Sequence, residues 1–105
     1  MGQFDVFVNP VASLRRVYPY LVVLQSSVGQ SASHDHVVAP IVPRGSLASV
    51  AGRLTPAVTI ESVPSLVLVP VLSTIRRTEL KQPIATLATE RSALLAAIDH
   101  LFFGV

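Results

Sequence analysis

The sequence predicts a small α+β protein, mainly β, in which an antiparallel sheet is followed by a C-terminal α-helix. Short apolar or alternating stretches recur over most of the chain and are separated by proline, glycine and small polar residues, which is typical of strands. After residue 86 the apolar residues change to helical spacing. Many short strands followed by one helix favour a sheet with the helix packed on it.

The length and composition fit one domain, residues 1–105, that associates with another molecule. The chain is 50% hydrophobic and 13% charged, which is apolar for a protein whose surface is large relative to its volume. We expect the surplus to form an interface, most simply that of a homodimer. The absence of cysteine excludes a disulfide scaffold and thiolate chemistry.

Charge and hydropathy favour a cytoplasmic protein that does not read nucleic acid sequence directly. The net charge is +2, and the only basic doublets, at 15–16 and 76–77, do not form the clustered basic face of a nucleic-acid binder. The most apolar run, 66–72, is far shorter than the ~20 residues that span a membrane. The N-terminus has no signal-peptide pattern, so no membrane association is expected.

Strands are predicted at residues 3–8, 20–25, 37–42, 57–61, 66–72 and 73–80. The first alternates and should be half buried, with Phe4, Val6 and Val8 on one face and Phe7 on the other. The second is apolar on both faces and should therefore be central or at an interface. The third contains Pro40, which cannot donate a ladder hydrogen bond and so indicates an edge strand or a bulge.

The connections and the helix start are predicted from turn and capping residues. Pro64 and Ser65 are expected to form a turn before the fifth strand. The helix should begin near Thr86 or Thr89, because either hydroxyl can cap it. Glu90 in its first turn would suit the helix dipole.

The end of the helix carries an aromatic side chain that the core does not explain. An α-helix turns by about 100° per residue, which places four apolar residues on one stripe along the helix: Leu94, Ile98, Leu101 and Val105. Leu95 and Phe102 lie beside this stripe. Phe103 points roughly 140° away from this stripe, towards the side of Asp99 and His100. We therefore interpret Phe103 and the following Gly104 as a contact for another molecule, because exposed aromatics are typical interface anchors.

Evidence for catalysis in the sequence is weak. His34, Asp35 and His36 could together bind a metal or supply a general base, but a solvated loop is the preferred interpretation. Arg76 and Arg77 could bind phosphate, although neighbouring strand residues face opposite sides. No phosphate-binding loop, dinucleotide motif or nucleophile elbow is present, so no catalytic residue, metal or cofactor is predicted.

Segments distributed over nearly the whole chain share their order with a known family. They are QFDVF at 3–7, Tyr18, LVVLQS at 21–26, VVAP at 37–40, PAVTI at 56–60 and AIDHLFFGV at 97–105. Each segment is a weak motif, but their order and their common end at the C-terminus are more specific. Together they resemble the CcdB-type toxins of bacterial toxin–antitoxin pairs.

This resemblance implies a fold, a target and a set of contact residues. The fold would be a barrel-like sheet of the Src-homology-3 type with a C-terminal helix, as in CcdB and MazF toxins, and the protein would be a homodimer. It would not be an enzyme. It would bind the DNA gyrase A subunit, trap gyrase on cleaved DNA and be neutralised by a CcdA-like antitoxin. The implied gyrase contacts are Phe103, Gly104 and Val105, surrounded by Val28, Asp99 and Phe102.

Two alternatives to a gyrase poison stay open at the level of sequence. A MazF-like endoribonuclease would use His34, Asp35 or His36 for proton transfer and an arginine to bind phosphate. A non-toxic CcdB homologue would act as a binding module for a different partner. The substitution of the family's tryptophan by Phe103 and of its asparagine by Asp99 fits either a poison or such a homologue.

Overall fold

The computed structural model describes residues 2–26, 34–46 and 52–104, which form an antiparallel sheet followed by a helix. The strands are β1 (Asp5–Val8), β2 (Tyr20–Val23), β3 (Asp35–Pro43), β4 (Ala57–Ile60), β5 (Val63–Val67), β6 (Ser73–Arg76) and β7 (Ala85–Thr86), and the helix is α1 (Arg91–Phe103). The strand order is β4-β5-β3-β2-β1-β7, and β6 also pairs with β3. The sheet is barrel-like and nearly closed, so the predicted fold class is confirmed.

Apolar side chains are buried on both faces of the sheet. The larger core lies on the face that carries α1, whose Leu94 and Ala97 are fully buried there. The smaller core lies on the other face and contains Phe7, Leu21, Val23, Val38 and Leu80. The prediction that the second strand is apolar on both sides and central is therefore confirmed.

β1 differs from the predicted half-buried strand. Val6 on one face and Phe7 on the other are both buried, at 0% and 1% exposed, whereas Val8, on the same face as Val6, is 45% exposed. The second core covers the face of β1 that carries Phe7, so the strand is buried on both faces rather than one. The strand also begins later than predicted, because Phe4 has φ 69°, which is incompatible with an extended conformation.

Pro40 lies in a central strand, so the prediction of an edge strand was wrong. β3 pairs with β2 on one side; on the other it pairs with β6 through residues 35–38 and with β5 through residues 41–43. The Leu24 N–H donates to the Val37 carbonyl at 2.9 Å, and alternation along the ladder then directs the backbone of Pro40 away from β2. Pro40 therefore faces Leu68, directly after β5, whose N–H donates to the Pro40 carbonyl at 2.9 Å, and its missing N–H leaves the β2–β3 ladder intact.

The turn of the β4–β5 hairpin was placed incorrectly. Pro64 and Ser65 belong to β5, and Ile60 pairs with Val63. The two-residue connection is formed by Glu61 and Ser62, with φ of 49° and 69°. Positive φ at both central residues indicates a type I′ turn, whose twist matches that of the paired strands.

The predicted strands over 66–72 and 73–80 are shorter in the structure. Each ends in a 3₁₀ turn, at Val69–Val71 and at Arg77–Glu79. The short strand β7, which pairs with β1, was not predicted. A further 3₁₀ turn at Ala88–Glu90 precedes α1.

The helix begins at Arg91, later than the capping residues predicted. The Thr86 hydroxyl accepts a hydrogen bond from the Ala88 N–H at 3.3 Å, so it supports the 3₁₀ turn rather than α1. Glu90 is the residue before α1 and its side chain makes no capping hydrogen bond. No helix in the described part of the chain is long and apolar enough to cross a membrane.

Candidate binding face of the C-terminal helix

One side of α1 is anchored in the larger core. Leu94 and Ala97 are buried, and Leu95, Ile98 and Leu101 are half-buried against the same core. The predicted apolar stripe is thus confirmed over the described residues. Val105 lies outside them, so its predicted position in the stripe stays a prediction.

Phe102 is more exposed than the sequence predicted. We expected it beside the buried stripe, but its side chain is 61% exposed. It lies about 80° from Leu94 around the helix, at the margin of the buried arc and in the last turn.

The opposite side of α1 is a continuous exposed stripe that ends in Phe103. Ser92, Ala96 and Asp99 are all exposed, and the Phe103 side chain is 75% exposed. The prediction that Phe103 points away from the core is confirmed. His100, expected on this side, is half-buried. A large apolar side chain therefore follows small and polar residues along one accessible face.

Gly104 ends the helix in a left-handed conformation. Its φ is 73°, and its N–H donates to the His100 carbonyl at 3.0 Å, which is a common way for a helix to end with glycine. A Cβ at this position would meet no atom within 4 Å. Backbone conformation, rather than lack of space, therefore requires glycine here, and the cap fixes the backbone beside Phe103.

The start of α1 is tied to the N-terminus by polar contacts that the sequence did not reveal. The Arg91 guanidinium lies 6.0 Å from the centre of the Phe4 ring and donates to the Gln3 side-chain oxygen at 3.2 Å. The Gln3 amide donates in turn to the Leu24 carbonyl at 2.9 Å. These contacts hold α1 against the end of β2.

Val28, an implied gyrase contact, lies outside the described residues.

The two histidines of the only dense titratable cluster do not form a common site. His36 lies in β3 and is 0% exposed, whereas His34 and Asp35 are exposed. Neither ring nitrogen of His36 has a hydrogen-bond partner among the described residues. Burial lowers the pKa of His36 below 6.5; the nearby Arg77 lowers it further, whereas Asp35 raises it. The expected solvated loop is thus wrong for His36, because β3 begins earlier than predicted and carries it into the core.

Arg76 and Arg77 line the same cleft, contrary to the prediction that they face opposite sides. This cleft, here called the basic cleft, has a volume of about 480 Å³ and is lined by His34, Asp35, Arg76, Arg77 and Thr78. The strand ends at Arg76 and the 3₁₀ turn begins at Arg77, so strand alternation does not continue between them. Among the described residues, no group of three or more His, Cys, Asp or Glu side chains could hold a metal.

The fold is similar to that of solved bacterial toxin structures. The crystal structure of an Mtb toxin superposes with a TM-score of 0.66 at 25% identity, covering 81% of this chain and 92% of that chain. The Mycobacterium tuberculosis toxin MazF-mt6 has the same fold, with a TM-score of 0.64 at 24% identity and coverage of 79% and 84%. No curated protein matches the sequence.

The sequence itself identifies the family. The model of the CcdB protein family matches residues 3–104, and the chain belongs to this family. It is therefore a toxin of the toxin–antitoxin type.

Proposed function

We propose that this protein poisons DNA gyrase by binding its A subunit and trapping the complex of gyrase with cleaved DNA. The observation that supports the proposal most directly is Phe103, 75% exposed at the end of an anchored helix. We assign the main gyrase contacts to Phe103, Gly104 and Val105, here called the binding tip, and further contacts to Phe102, Asp99 and Val28. The protein acts in the cytoplasm by binding and catalyses no reaction.

The physical chemistry of the exposed face suits protein recognition. Phe102 and Phe103 provide apolar surface with few rotatable bonds, so ordering them on binding costs little entropy. Ala96 and Ser92 on the same side are small and allow close approach to α1. A partner arginine stacked on Phe103 would contribute up to about 2 kcal/mol once water is excluded.

The remaining parts of the proposal concern assembly and neutralisation. We propose that residues 1–105 act as one domain and that two copies associate about a two-fold axis, which places two tips against a two-fold symmetric gyrase. A cognate CcdA-like antitoxin neutralises the dimer. No sequence-specific contact with nucleic acid, no membrane contact and no cofactor is required.

A gyrase cleavage assay tests this function. Purified protein incubated with gyrase, supercoiled DNA and ATP should give linear DNA after denaturation of gyrase. Phe103→Ala should lose this activity while melting at an unchanged temperature, because the Phe103 side chain contributes little to the core. A chain lacking the last three residues should also lose the activity, with a small fall in melting temperature because the Gly104 cap is removed. Val63→Ala, which removes a different exposed apolar side chain, is the matched control and should remain active. Equal cleavage by all four proteins would contradict the tip model.

A second candidate function is supported by the basic cleft. His34, Asp35, Arg76 and Arg77 line one cleft, which is the combination of proton-transfer and phosphate-binding groups that a MazF-like endoribonuclease requires. His36 is excluded as the general base because it is fully buried. Cleavage of RNA by the wild-type protein but not by His34→Ala would support this alternative.

The gyrase proposal and its alternatives predict different results. Intact RNA in cells arrested by the protein would exclude the endoribonuclease. A protein that arrests no cells and captures no gyrase A subunit would be a non-toxic binding module. Capture of gyrase A subunit by the wild type, lost in Phe103→Ala, would support the first proposal.

A further inference from the structure

A polar cavity lies where the two edges of the sheet approach each other. β4 and β7 stand at opposite ends of the strand order, and both contribute to one cavity of about 280 Å³ through Thr59 of β4 and Thr86 of β7. The residues next to these strands that line it with polar side chains are Arg44, Ser65, Thr89 and Glu90. We call it the seam cavity, because it lies between the edges of a nearly closed sheet.

The edge of β4 offers backbone hydrogen bonds to a ligand in the seam cavity. The Val67 N–H donates to the Pro56 carbonyl at 3.0 Å, which identifies the hydrogen-bonded positions of the β4–β5 ladder. By alternation, the N–H and C=O groups of Thr59 point away from β5. Pro64, which lies opposite Thr59 and has no N–H, fits this position of the ladder. Among the described residues, β4 pairs with no strand other than β5.

Hydroxyl groups line the seam cavity on both sides. Thr59 and Thr89 are exposed, and within the part of the chain that the structure describes their hydroxyls have no hydrogen-bond partner. Ser65 is 2% exposed, and its hydroxyl donates to the Val63 carbonyl at 3.0 Å. The lone pairs of the Ser65 oxygen remain as acceptors. The cavity therefore offers both donors and acceptors to a polar ligand.

Two opposite charges also line the seam cavity, and they do not pair with each other. Arg44 is exposed directly after β3, and Glu90 is half-buried directly before α1. Neither side chain forms a hydrogen bond or an ion pair with any residue in 2–26, 34–46 or 52–104. A partly buried charge without a partner is unfavourable, so a ligand that pairs with both charges would remove this cost.

This pair of charges favours a small zwitterion over other ligands. Glu90 would repel a free anion such as phosphate, and Arg44 would repel a free cation. A molecule with one carboxylate and one ammonium group satisfies both, because a guanidinium binds a carboxylate through two hydrogen bonds. A neutral polyol would leave both charges unpaired. The cavity is just smaller than the sites of about 300–1,000 Å³ that hold drug-sized ligands, which suits a molecule of amino-acid size.

We propose that the seam cavity binds a free α-amino acid. The carboxylate of the ligand pairs with Arg44 and its ammonium group pairs with Glu90, while Thr59 and Thr89 supply further hydrogen bonds. The bound ligand connects the edge of β4 with the start of α1. These residues differ from those of the proposed gyrase-binding face, so the inference does not depend on the gyrase activity.

Ligand-observed NMR followed by calorimetry tests the proposal. Saturation-transfer difference spectra of the full chain with pools of free L-amino acids identify those that bind, and the strongest binder serves as the probe. Isothermal titration calorimetry then compares the probe with its N-acetyl and methyl ester derivatives. Each derivative lacks one charge and should bind at least about tenfold more weakly. The probe should also raise the melting temperature of the protein, because it binds the folded state.

Four variants separate the two charges of the seam cavity from charge in general. Arg44→Gln and Glu90→Gln should each weaken the probe at least about tenfold. Arg53→Gln and Glu79→Gln make the same changes at exposed residues outside the cavity and should leave binding unchanged. Every variant is melted by circular dichroism without ligand, so that loss of binding is separated from loss of folding.

Three results would overturn the proposal. The first is that no free amino acid binds to the folded full chain. The second is that the probe binds equally well to the wild type, Arg44→Gln and Glu90→Gln, or binds no better than its two derivatives. The third is binding of myo-inositol or glucose without binding of any amino acid, which would assign the seam cavity to a neutral polyol.

Discussion

Titration of His36 should make the stability of this protein depend on pH. His36 is fully buried in β3, and within the part of the chain that the structure describes neither ring nitrogen is hydrogen-bonded. Burial lowers the pKa of His36 below 6.5. The folded protein therefore resists protonation that the unfolded chain accepts. Because the unfolded chain binds more protons below its own pKa, stability is retained above pH 6.5 and is lost as the pH falls below it.

The expected loss can be calculated from the unfolded pKa. The free energy of unfolding falls from about pH 7.5 down to the lowered pKa of the folded state, and by pH 5.5 the fall is at most about 1.4 kcal/mol, the value for a His36 that stays unprotonated in the folded protein. This upper bound corresponds to several degrees in melting temperature for a domain of this size. The loss ends once the pH reaches the lowered pKa of the folded state.

Replacement of His36 by leucine should remove this dependence and stabilise the fold. An unpaired buried polar group costs about 1–3 kcal/mol, and the difference in shape should cost less than about 1.5 kcal/mol. His36→Leu should therefore gain about 1 kcal/mol at pH 7.5. His34→Leu, the same change at an exposed residue two positions away, should alter stability by less than about 0.5 kcal/mol and keep the wild-type pH dependence.

Urea denaturation followed by far-UV circular dichroism measures these values, since the chain has no tryptophan. The difference between wild type and His36→Leu at each pH isolates His36, because the carboxylates common to both proteins cancel. A wild type whose stability is constant from pH 7.5 to 5.5 would refute the reasoning. So would a His36→Leu variant that keeps the wild-type pH dependence or is less stable by more than 1 kcal/mol.

Other predictions concern the buried side of α1, the turn between β4 and β5, and the glycine cap of α1. Leu94→Ala should cost about 2–5 kcal/mol in urea denaturation, because it leaves a cavity between α1 and the sheet; a loss below 1 kcal/mol would contradict its burial. Ser62→Gly should gain about 0.5 kcal/mol in the same assay by relieving positive φ in the type I′ turn, and a loss would exclude that turn. Gly104→Ala should cost about 1 kcal/mol, with less helical signal near 222 nm and weaker gyrase cleavage; unchanged cleavage would show that the cap does not order Phe103.

Local sequence patterns were sufficient to predict burial where only one face of a strand or helix meets the core. The predicted strand over 57–61 alternates, which puts Val58 and Ile60 on one face, and both are buried. Helical spacing likewise separated buried Leu94 from exposed Phe103. In both cases one face of an element meets the core, so periodicity alone identifies that face.

Local patterns failed where two elements meet. The burial of Phe7 depends on a second core on the other face of the sheet, which the sequence of β1 does not reveal. The turn at Glu61 and Ser62 was missed because neither residue is a typical turn glycine or asparagine, although pairing of β4 with β5 requires positive φ there. The contact of Arg91 with Gln3 joins residues 88 positions apart.

The sequence alone determined the fold class, the family and the exposed aromatic at the helix end, because periodicity and the order of short segments are properties of the chain itself. The tertiary structure decided that Pro40 lies in a central strand, that His36 is buried without a hydrogen-bond partner among the described residues, and that Arg76 and Arg77 line one cleft. Each of these depends on which strand lies beside which, and that choice follows from long-range packing of the sheet rather than from neighbouring residues.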